Sequence, residues 1–227
     1  MEFIRFFLCG KIKSSHFLGV LFLLACAING SGFSLAADEL RWYGGIGIGQ
    51  SRAKFNDAGI SNTLLAAGAA TATTTAKDER DTSYKLFTGY QFNRHFALEG
   101  GYFDLGRFNY TSTTTGPVGS LSNNTKAQGV NIDAVGTLPI AKNFSAIGRV
   151  GAHSTKTRDS YAGSGGITVL NPADRWDTNY KLGVGLQYDI TKSFAVRGEM
   201  ERYHINDTAS DRRDTDVYSV GIILKFR

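Results

Sequence analysis

The sequence predicts an all-β protein, an eight-stranded antiparallel up-and-down transmembrane β-barrel, and three observations carry that prediction. Segments of roughly ten residues alternate apolar side chains with small, polar or charged ones, as strands with two different faces do. The connections between these segments run long, short, long, short, long, short, long. Aromatic residues fall at the segment ends. This pattern is typical of outer-membrane barrels, and it predicts short periplasmic turns and four long extracellular loops.

The alternation is clearest between Asn179 and Phe226, where three consecutive segments have the pattern of strands. One face of each is mostly apolar, with aromatics at the ends: Tyr180, Leu182, Val184, Leu186 and Tyr188, then Phe194, Val196, Gly198 and Met200, then Tyr218, Val220, Ile222, Leu224 and Phe226. The positions between them are mostly glycine, polar or charged. A soluble sandwich would bury the apolar face in a core, whereas a transmembrane barrel turns it toward lipid.

Five further strands precede this stretch, and they are predicted over Arg41–Ser51, Thr82–Phe92, Phe96–Asp104, Ala127–Leu138 and Phe144–His153. The four long polar connections are Arg52–Asp81, Gly106–Lys126, Ser154–Thr178 and His204–Thr215. The low-complexity middle of the first connection, Ala66–Ala76, is expected to be a mobile loop, because threonine and glycine form helices poorly.

Composition and charge exclude several classes of protein. The chain has 227 residues with 27 glycines and 3 prolines, which is enough for one barrel domain. Its formal net charge of +5 comes from mixed charges without a basic run, so no nucleic-acid partner is indicated. Both cysteines, Cys9 and Cys26, lie near the N-terminus. The rest of the chain therefore has no disulfide framework and no cysteine-ligated metal site.

The N-terminal residues 1–36 are predicted to be a cleaved secretory signal peptide. A positively charged start is followed by the apolar run Phe17–Ile28 and by a cleavage site of the A-x-A type at Ser34–Ala36. Residues 37–227 would then form the outer-membrane β-barrel domain. Two alternatives stay open: the apolar run is retained as a membrane anchor, or Cys26 is lipidated in a lipoprotein-type processing site.

Aromatic side chains at the strand ends predict two interfacial girdles, which transmembrane barrels carry where lipid meets water. The residues assigned to these girdles are Trp42, Tyr84, Tyr90, Phe92, Phe96, Tyr102, Phe144, Tyr180, Tyr188, Phe194, Tyr218 and Phe226. A soluble lipocalin-like barrel also has eight alternating strands, but its apolar face would point inward around a ligand. The girdles, the connection lengths and the signal peptide together favour the membrane barrel.

The charged side chains on the other face would point into the lumen and form a charge network. Its members are Lys85, Glu99, Asp133, Arg149, Lys181, Arg197, Glu199, Glu201 and Lys225. An eight-stranded barrel is just wide enough to be filled by side chains, and each unpaired buried charge costs several kcal/mol. The network is therefore expected to plug the bore with ion pairs. The alternative is a gate whose pairs rearrange to let small ions through.

Two stretches carry a resemblance to a known family. They are YKLFTGYQFNRHFALEGGYFDLG, which starts at Tyr84, and YKLGVGLQYDITKSFAVRGEMERY, which starts at Tyr180 and is followed by VYSVGIILKFR. Their patterned strands and turns resemble the OmpA-type eight-stranded outer-membrane β-barrel family, in its transmembrane domain only. The resemblance covers Leu40–Arg227 and implies a location in the outer membrane of the Gram-negative cell envelope. The sequence departs from the family pattern at its end, where Arg227 follows the terminal aromatic Phe226, and no peptidoglycan-binding domain is expected.

The sequence favours a structural or surface-interaction protein without enzymatic activity, because loops on a rigid scaffold are where binding functions are commonly found. The expected partners are outer-membrane lipid or lipopolysaccharide, an extracellular loop partner, and the assembly machinery, which would read the C-terminal strand ending at Phe226. No catalytic residue, metal or cofactor is predicted. The alternatives are a low-conductance porin or a transporter of small or hydrophobic solutes, and an outer-membrane lipid hydrolase that uses His153 or His204 with Ser154 and Glu201.

Overall fold

The computed structural model of the chain describes residues 41–53, 71–115, 118–165, 174–206 and 212–226. All of them belong to one compact unit, Glu39–Arg227. The predicted signal peptide, its cleavage site and Cys26 lie outside the described residues. Across those described ranges, no helix has the length and apolar character needed to cross a membrane.

Nine strands make up the described part of the chain, and each paired strand runs antiparallel to its neighbour. They are β1 Arg41–Ala53, β2 Thr71–Asp78, β3 Arg80–Gln91, β4 Phe96–Thr115, β5 Gly119–Ala141, β6 Phe144–Gly165, β7 Arg175–Asp189, β8 Phe194–Asn206 and β9 Arg212–Phe226. The sheet order is β2-β4-β3-β1-β9-β8-β7-β6-β5, and β4 also pairs with β5. That additional pairing closes β1 and β3–β9 into a ring. The predicted eight-stranded antiparallel barrel is thus confirmed, and β2 is attached outside the ring.

Short turns join the strands at one end of the barrel, which we call the turn end. They fall between β3 and β4, between β5 and β6, and between β7 and β8. In the first turn, the Asn93 side-chain oxygen accepts hydrogen bonds from the backbone N–H groups of His95 at 2.8 Å and Phe96 at 2.9 Å. In the third, Thr191 Oγ1 accepts one from the backbone N–H of Phe194 at 3.0 Å. We call the opposite end of the barrel the hairpin end.

The strands at the hairpin end are longer than predicted. β4 continues past Asp104 to Thr115, β5 begins at Gly119 rather than Ala127, and β6 continues past His153 to Gly165. β7 likewise begins at Arg175, before the predicted end of the third loop at Thr178. The prediction of long polar loops is therefore wrong for residues 106–115, 119–126, 154–165 and 175–178. These stretches form a sheet that extends the wall of the barrel beyond its apolar band.

The loop predictions failed here because only apolar alternation was taken as the signal of a strand. Threonine is β-branched and also fits a pleated, half-buried surface, and threonine and serine alternate between the two faces of these hairpins. The β4–β5 ladder shifts register between Asp104 and Arg107, where Gly106 has a φ of +82° that side chains with a Cβ rarely adopt. The ladder then continues from Arg107–Lys126 to Thr114–Gly119.

Two other loop predictions also need correction. Thr71–Ala76, expected to be part of a mobile loop, lies in β2 and pairs with the far half of β4. The rest of that predicted mobile segment, residues 66–70, lies outside the described residues. β8 continues to Asn206 and β9 begins at Arg212, so the predicted loop His204–Thr215 is strand at both ends.

The two faces of the barrel wall differ as the alternation predicts. Outward side chains in the middle of the strands are apolar and exposed on the isolated barrel, for example Ile46 at 60 % and Leu86 at 59 %. The apolar positions of β7 and β9 behave in the same way, with Val184 at 64 % and Val220 at 58 %. Such a band is what lipid tails cover in a transmembrane barrel.

The interior is filled in three layers along the barrel axis. The turn-end cluster consists of buried apolar side chains: Tyr43, Phe87, Ala97, Val135, Ile147, Ala195 and Ile223. The hairpin-end cluster consists of Ala53, Phe103, Leu105, Phe108, Ala127, Tyr203 and Val217, with Ile205 packed against it. Charged side chains occupy the space between these two clusters.

Candidate functional site

The charge layer is a group of eight buried ionisable side chains in the middle of the barrel. Strand alternation points all of them inward, and they are Lys85, Glu99, Asp133, Arg149, Lys181, Arg197, Glu199 and Glu201. The four cations and four carboxylates give the layer a formal charge of zero. Because an isolated ion buried in a low-dielectric site is costly, this balance is what allows so many charges to lie inside the barrel.

Arg149 is the centre of the layer because it bridges carboxylates from three strands. Glu99 and Asp133 lie directly opposite each other on β4 and β5, a like-charge arrangement that destabilises a sheet unless a cation offsets it. Arg149 Nη2 lies 2.9 Å from Glu99 Oε2, and Arg149 Nη1 lies 3.0 Å from Asp133 Oδ2. The same guanidinium contacts Glu199 and lies 3.3 Å from Glu201 Oε1. One side chain therefore joins all four carboxylates of the layer.

Each of the two lysines bridges a pair of carboxylates, and both lysines contact Glu201 of β8. Glu199 and Glu201 are two residues apart and share the inward face of that strand. Lys85 Nζ lies 2.7 Å from Glu199 Oε2 and 2.9 Å from Glu201 Oε2. Lys181 Nζ lies 2.8 Å from both Glu201 Oε1 and Asp133 Oδ2. Each ammonium group thus bridges two acids. Arg197 Nη1 likewise lies near Glu99 and, at 3.8 Å, near Glu199, so every charge of the layer has at least two partners.

Three uncharged side chains complete the layer, and the sequence placed them inside without assigning them to the network. Tyr43 donates its hydroxyl hydrogen to Glu99 Oε1 at 2.8 Å. Gln187 Oε1 accepts hydrogen bonds from Arg197 Nε and Nη2 at 3.1 and 2.9 Å, which fixes the plane of that guanidinium. Asn131 donates to Asp133 Oδ2 at 2.9 Å. The sequence did indicate that these three side chains face inward, as the charged side chains do. Alternation alone does not say which inward side chains contact one another.

Lys225 is the predicted network member that the structure places elsewhere. Its ammonium group lies 2.8 Å from Asp189 Oδ1, at the end of β7. Gln187 also donates to Asp189 Oδ1, at 2.8 Å. Lys225 therefore belongs to a partly exposed ion pair at the turn end of the barrel, which only Gln187 links to Arg197 of the charge layer among the described contacts.

An aromatic group covers the charge layer on the hairpin side. The rings of Phe103 and Tyr203 have centroids 4.9 Å apart, and the His153 ring lies 5.9 Å from Phe103 and 5.3 Å from Tyr203. All three side chains are buried. A small cavity of about 10 Å³ has room for roughly one water molecule. It lies beside Lys85, Phe103, Glu201 and Tyr203. The described interior is thus closely packed at this level.

The side chains considered for hydrolysis do not form a nucleophile–base arrangement. His153 Nδ1 hydrogen-bonds Thr155 Oγ1 at 2.7 Å, and His153 Nε2 hydrogen-bonds the backbone carbonyl of His204 at 3.0 Å. The Ser154 hydroxyl instead accepts a hydrogen bond from Thr178 at 3.4 Å. Glu201 is held by the two lysines of the charge layer. Over the described ranges, no group of three or more His, Cys, Asp or Glu side chains could hold a metal ion.

The aromatic residues assigned to girdles lie at the two ends of the apolar band. Trp42 pairs directly with both Tyr90 and Phe226 at the turn end, and its ring lies 5.0 Å from that of Tyr90. Phe144 packs against Tyr188 at 5.1 Å at the same end. Ten of the twelve are strongly exposed, whereas Tyr90 and Phe194 are half-buried. Rings at these levels can lie in the lipid–water interface.

Comparison with known proteins identifies the family. The model of the OmpA-like transmembrane domain matches residues 37–227. The chain belongs to the OmpA-like transmembrane-domain family. Membership places this β-barrel in the outer membrane of a Gram-negative cell envelope. No curated protein matches the sequence.

Several solved outer-membrane barrels are similar to the chain in fold. Ail, the attachment invasion locus protein of Yersinia pestis, is 18 % identical with a TM-score of 0.49, over 83 % of this chain and 99 % of Ail. The N-terminal β-barrel domain of OprF from Pseudomonas aeruginosa is 12 % identical with a TM-score of 0.46, over 83 % of this chain and all of that domain. Neisserial surface protein A is 16 % identical with a TM-score of 0.46, over 82 % of this chain and 97 % of that protein.

Substituting Gly151 with alanine should destabilise this OmpA-like barrel by disturbing the charge layer. A Cβ at this position would collide with Asp133 Oδ1 and with the backbone carbonyl oxygen of Ile132. The backbone cannot yield easily inside a ladder, so we expect a loss of about 1–3 kcal/mol in the free energy of unfolding in lipid vesicles. Gly148→Ala is the matched control, because a Cβ there meets nothing within 4 Å. Equal stability of the two variants would contradict the packing described here.

Proposed function

We propose that this chain is a non-enzymatic surface-interaction protein whose lumen is plugged by the charge layer and whose extended hairpins bind an extracellular partner. The observation that carries the proposal is the balanced charge layer between two apolar clusters. An ion crossing such a lumen would have to separate pairs that share carboxylates and would also have to pass two layers of apolar side chains. Both steps are costly at low dielectric.

We infer that the turn end lies in the periplasm and the hairpin end outside the cell, by the usual rule for such barrels, so the extended hairpins can carry the binding part of the proposal. Their outward face carries short polar side chains: Thr111, Thr113, Thr115, Ser120, Ser122, Asn124, Ser160 and Ser164. Some of these hydroxyls bond across the strands, as in Thr111–Ser122 at 3.2 Å and Ser120–Ser164 at 2.7 Å. A paired sheet of this kind is a more rigid platform than a polar loop, and rigid platforms reduce the entropy lost on binding.

The remaining assignments concern processing, assembly and lipid contact. We propose that residues 1–36 are removed as a signal peptide, and the start of the family match at residue 37 supports this boundary. Assembly through the C-terminal strand is supported by the position of β9, which closes the ring against β1 up to the pair Trp42–Phe226. The outward apolar band contacts outer-membrane lipid.

Shortening the β4–β5 hairpin tests the binding part of the proposal. Phe108 and Thr125 are directly paired, so residues 109–124 can be replaced by Asn-Gly, a two-residue turn that suits this register. We expect bacteria displaying the natural chain to adhere to cultured epithelial cells, or to each other, and bacteria displaying the shortened variant to lose at least about tenfold in adherence, since the contact surface is removed. Adherence is counted as bound cells at equal surface display.

A turn-end variant is the matched control. Lys142→Gln with Lys192→Gln changes exposed side chains at the periplasmic end and should leave adherence unchanged. Slower migration of the unboiled protein on a detergent gel, lost on boiling, would establish that each variant is a folded barrel. Absence of adherence by the natural chain, or full adherence by the shortened variant, would contradict the proposal.

A further inference from the structure

A row of cations crosses three neighbouring strands on the outward face of the extended wall. Arg107 on β4 lies directly opposite Lys126 on β5, which in turn lies directly opposite Arg158 on β6. Each of these cations has a buried, inward-facing neighbour along the chain: Phe108 follows Arg107, Thr125 precedes Lys126 and Thr157 precedes Arg158. Alternation therefore directs all three cations outward. Lys156 lies two residues from Arg158 on the same face. We call Arg107, Lys126, Lys156 and Arg158 the basic row.

The protein itself neutralises only part of this charge. Lys126 Nζ lies 3.3 Å from Asp104 Oδ2, and Asp174 Oδ2 lies 2.7 Å from Lys156 Nζ and 3.0 Å from Arg158 Nη2. Hydrogen bonds from Arg158 and Lys156 hold the pKa of Asp174 well below its usual range, so this carboxyl stays ionised. The Asp81 carboxylate also lies at the row, since its Oδ2 accepts a hydrogen bond from the backbone N–H of Arg107 at 2.6 Å. Among the described residues, four cations against these three carboxylates leave a local excess of one positive charge. Like charges directly opposite on a sheet repel, and an anion bound between them would remove that cost.

The level of the row matches the headgroup region of the outer leaflet. The outer girdle residue Tyr102 pairs with Val130 on β5, and Lys126 is four residues further along that strand. This separation is roughly 13 Å along the strand and roughly 10 Å along the membrane normal for the usual barrel tilt. Long lysine and arginine side chains can reach back toward the interface over part of that distance. The side chains of the basic row can therefore reach the headgroup layer that borders the outer end of the apolar band.

We propose that the basic row binds the phosphate groups of lipid A in the outer leaflet. Neighbouring strands are about 4.8 Å apart, so adjacent guanidinium and ammonium groups can donate to different oxygens of one phosphate. Two exposed arginines flank Lys126: Arg107, and Arg158 with 63 % of its side chain accessible. Their exposure leaves room for a phosphate group. This inference rests on the outer-membrane location alone and is independent of what the hairpins bind.

Titration with lipid A tests the assignment. Trp176 lies directly opposite Lys156 and is 65 % exposed, and Trp42→Phe would leave it as the sole tryptophan in residues 37–227. The full barrel in neutral detergent micelles is titrated with diphosphoryl lipid A, dephosphorylated lipid A and inorganic phosphate while Trp176 fluorescence is recorded. We expect diphosphoryl lipid A to bind most tightly, and the triple variant Arg107→Gln, Lys126→Gln and Arg158→Gln to weaken that binding at least about tenfold.

Two matched variants decide between a phosphate site and general attraction by charge. Arg94→Gln, Lys142→Gln and Lys192→Gln remove the same charge from exposed turn-end positions and should leave lipid A binding unchanged. Arg107→Lys with Arg158→Lys keeps the charge and should keep most of the binding. Equal binding of dephosphorylated lipid A, equally tight binding of inorganic phosphate, or an equal loss in the turn-end variant would each overturn the proposal. Heat-dependent gel migration confirms that every variant compared is folded.

Discussion

Replacing Arg149 with methionine should lower the free energy of unfolding of the barrel by about 3–5 kcal/mol, the range measured when one partner of a buried ion pair is removed. The methionine leaves four carboxylates against the three remaining cations of the charge layer. Glu99 and Asp133 would then face each other directly across β4 and β5 without the guanidinium that joins them. Urea unfolding of the protein refolded in lipid vesicles measures the effect.

Two further variants show whether the cause is the uncompensated charge. Arg149→Met with Glu199→Gln restores a neutral layer, so the double variant should be more stable than the single one. Arg158→Met removes the same functional group from an exposed position and should change stability by less than about 1 kcal/mol. If the single substitution at Arg149 costs no more than the one at Arg158, the charge layer does not hold the interior together as described.

Truncating Phe103 to alanine should cost a similar amount, about 3–5 kcal/mol, for a different physical reason. The ring is 1 % exposed and packs against Tyr203 and His153 between the charge layer and the extended hairpins. Its removal opens a cavity above Lys85 and Glu201, next to the small cavity already present. We also expect amide hydrogen exchange to quicken in the neighbouring parts of β4 and β8, because water can then reach the layer.

Phe103→Leu is the matched control for this prediction. Leucine keeps most of the buried volume, so its cost should stay below about 1.5 kcal/mol and exchange should change little. A Phe103→Ala barrel as stable as the Phe103→Leu barrel would show that the aromatic group is not required to close the lumen.

The barrel could be predicted from sequence because its wall repeats one simple rule. Alternation with a period of two residues settles which side chains face lipid, and it placed Ile46, Leu86 and Val220 outward as the structure has them. Alternation also put Glu99 and Arg149 inside. It could not state that Arg149 would touch four carboxylates, because the partners come from β4, β5 and β8, and their relative register depends on the closed ring.

The extended hairpins could not be predicted by the same rule. Their strands continue through residues such as Ser112, Thr114 and Asn123, whose burial comes from the neighbouring hairpins and not from apolar character. A polar stretch of threonine and serine has the same composition whether it forms a loop or a paired strand. Alternation also could not show how far along the barrel axis a charge lies. Lys225 faces inward as predicted, but it lies near the turn end and therefore pairs with Asp189.

Single-channel conductance of the refolded barrel, residues 37–227, in a planar lipid bilayer tests the plugged lumen most directly. We predict no steady openings from the natural chain, because the charge layer and the two apolar clusters both close the lumen. Under the alternative of a gate, Glu99→Gln or Arg149→Ala would raise the conductance. Heat-dependent gel migration of the same preparation would show that the protein in the bilayer is folded. Steady ion conduction by the natural folded barrel would contradict the account and make the charge layer a gate.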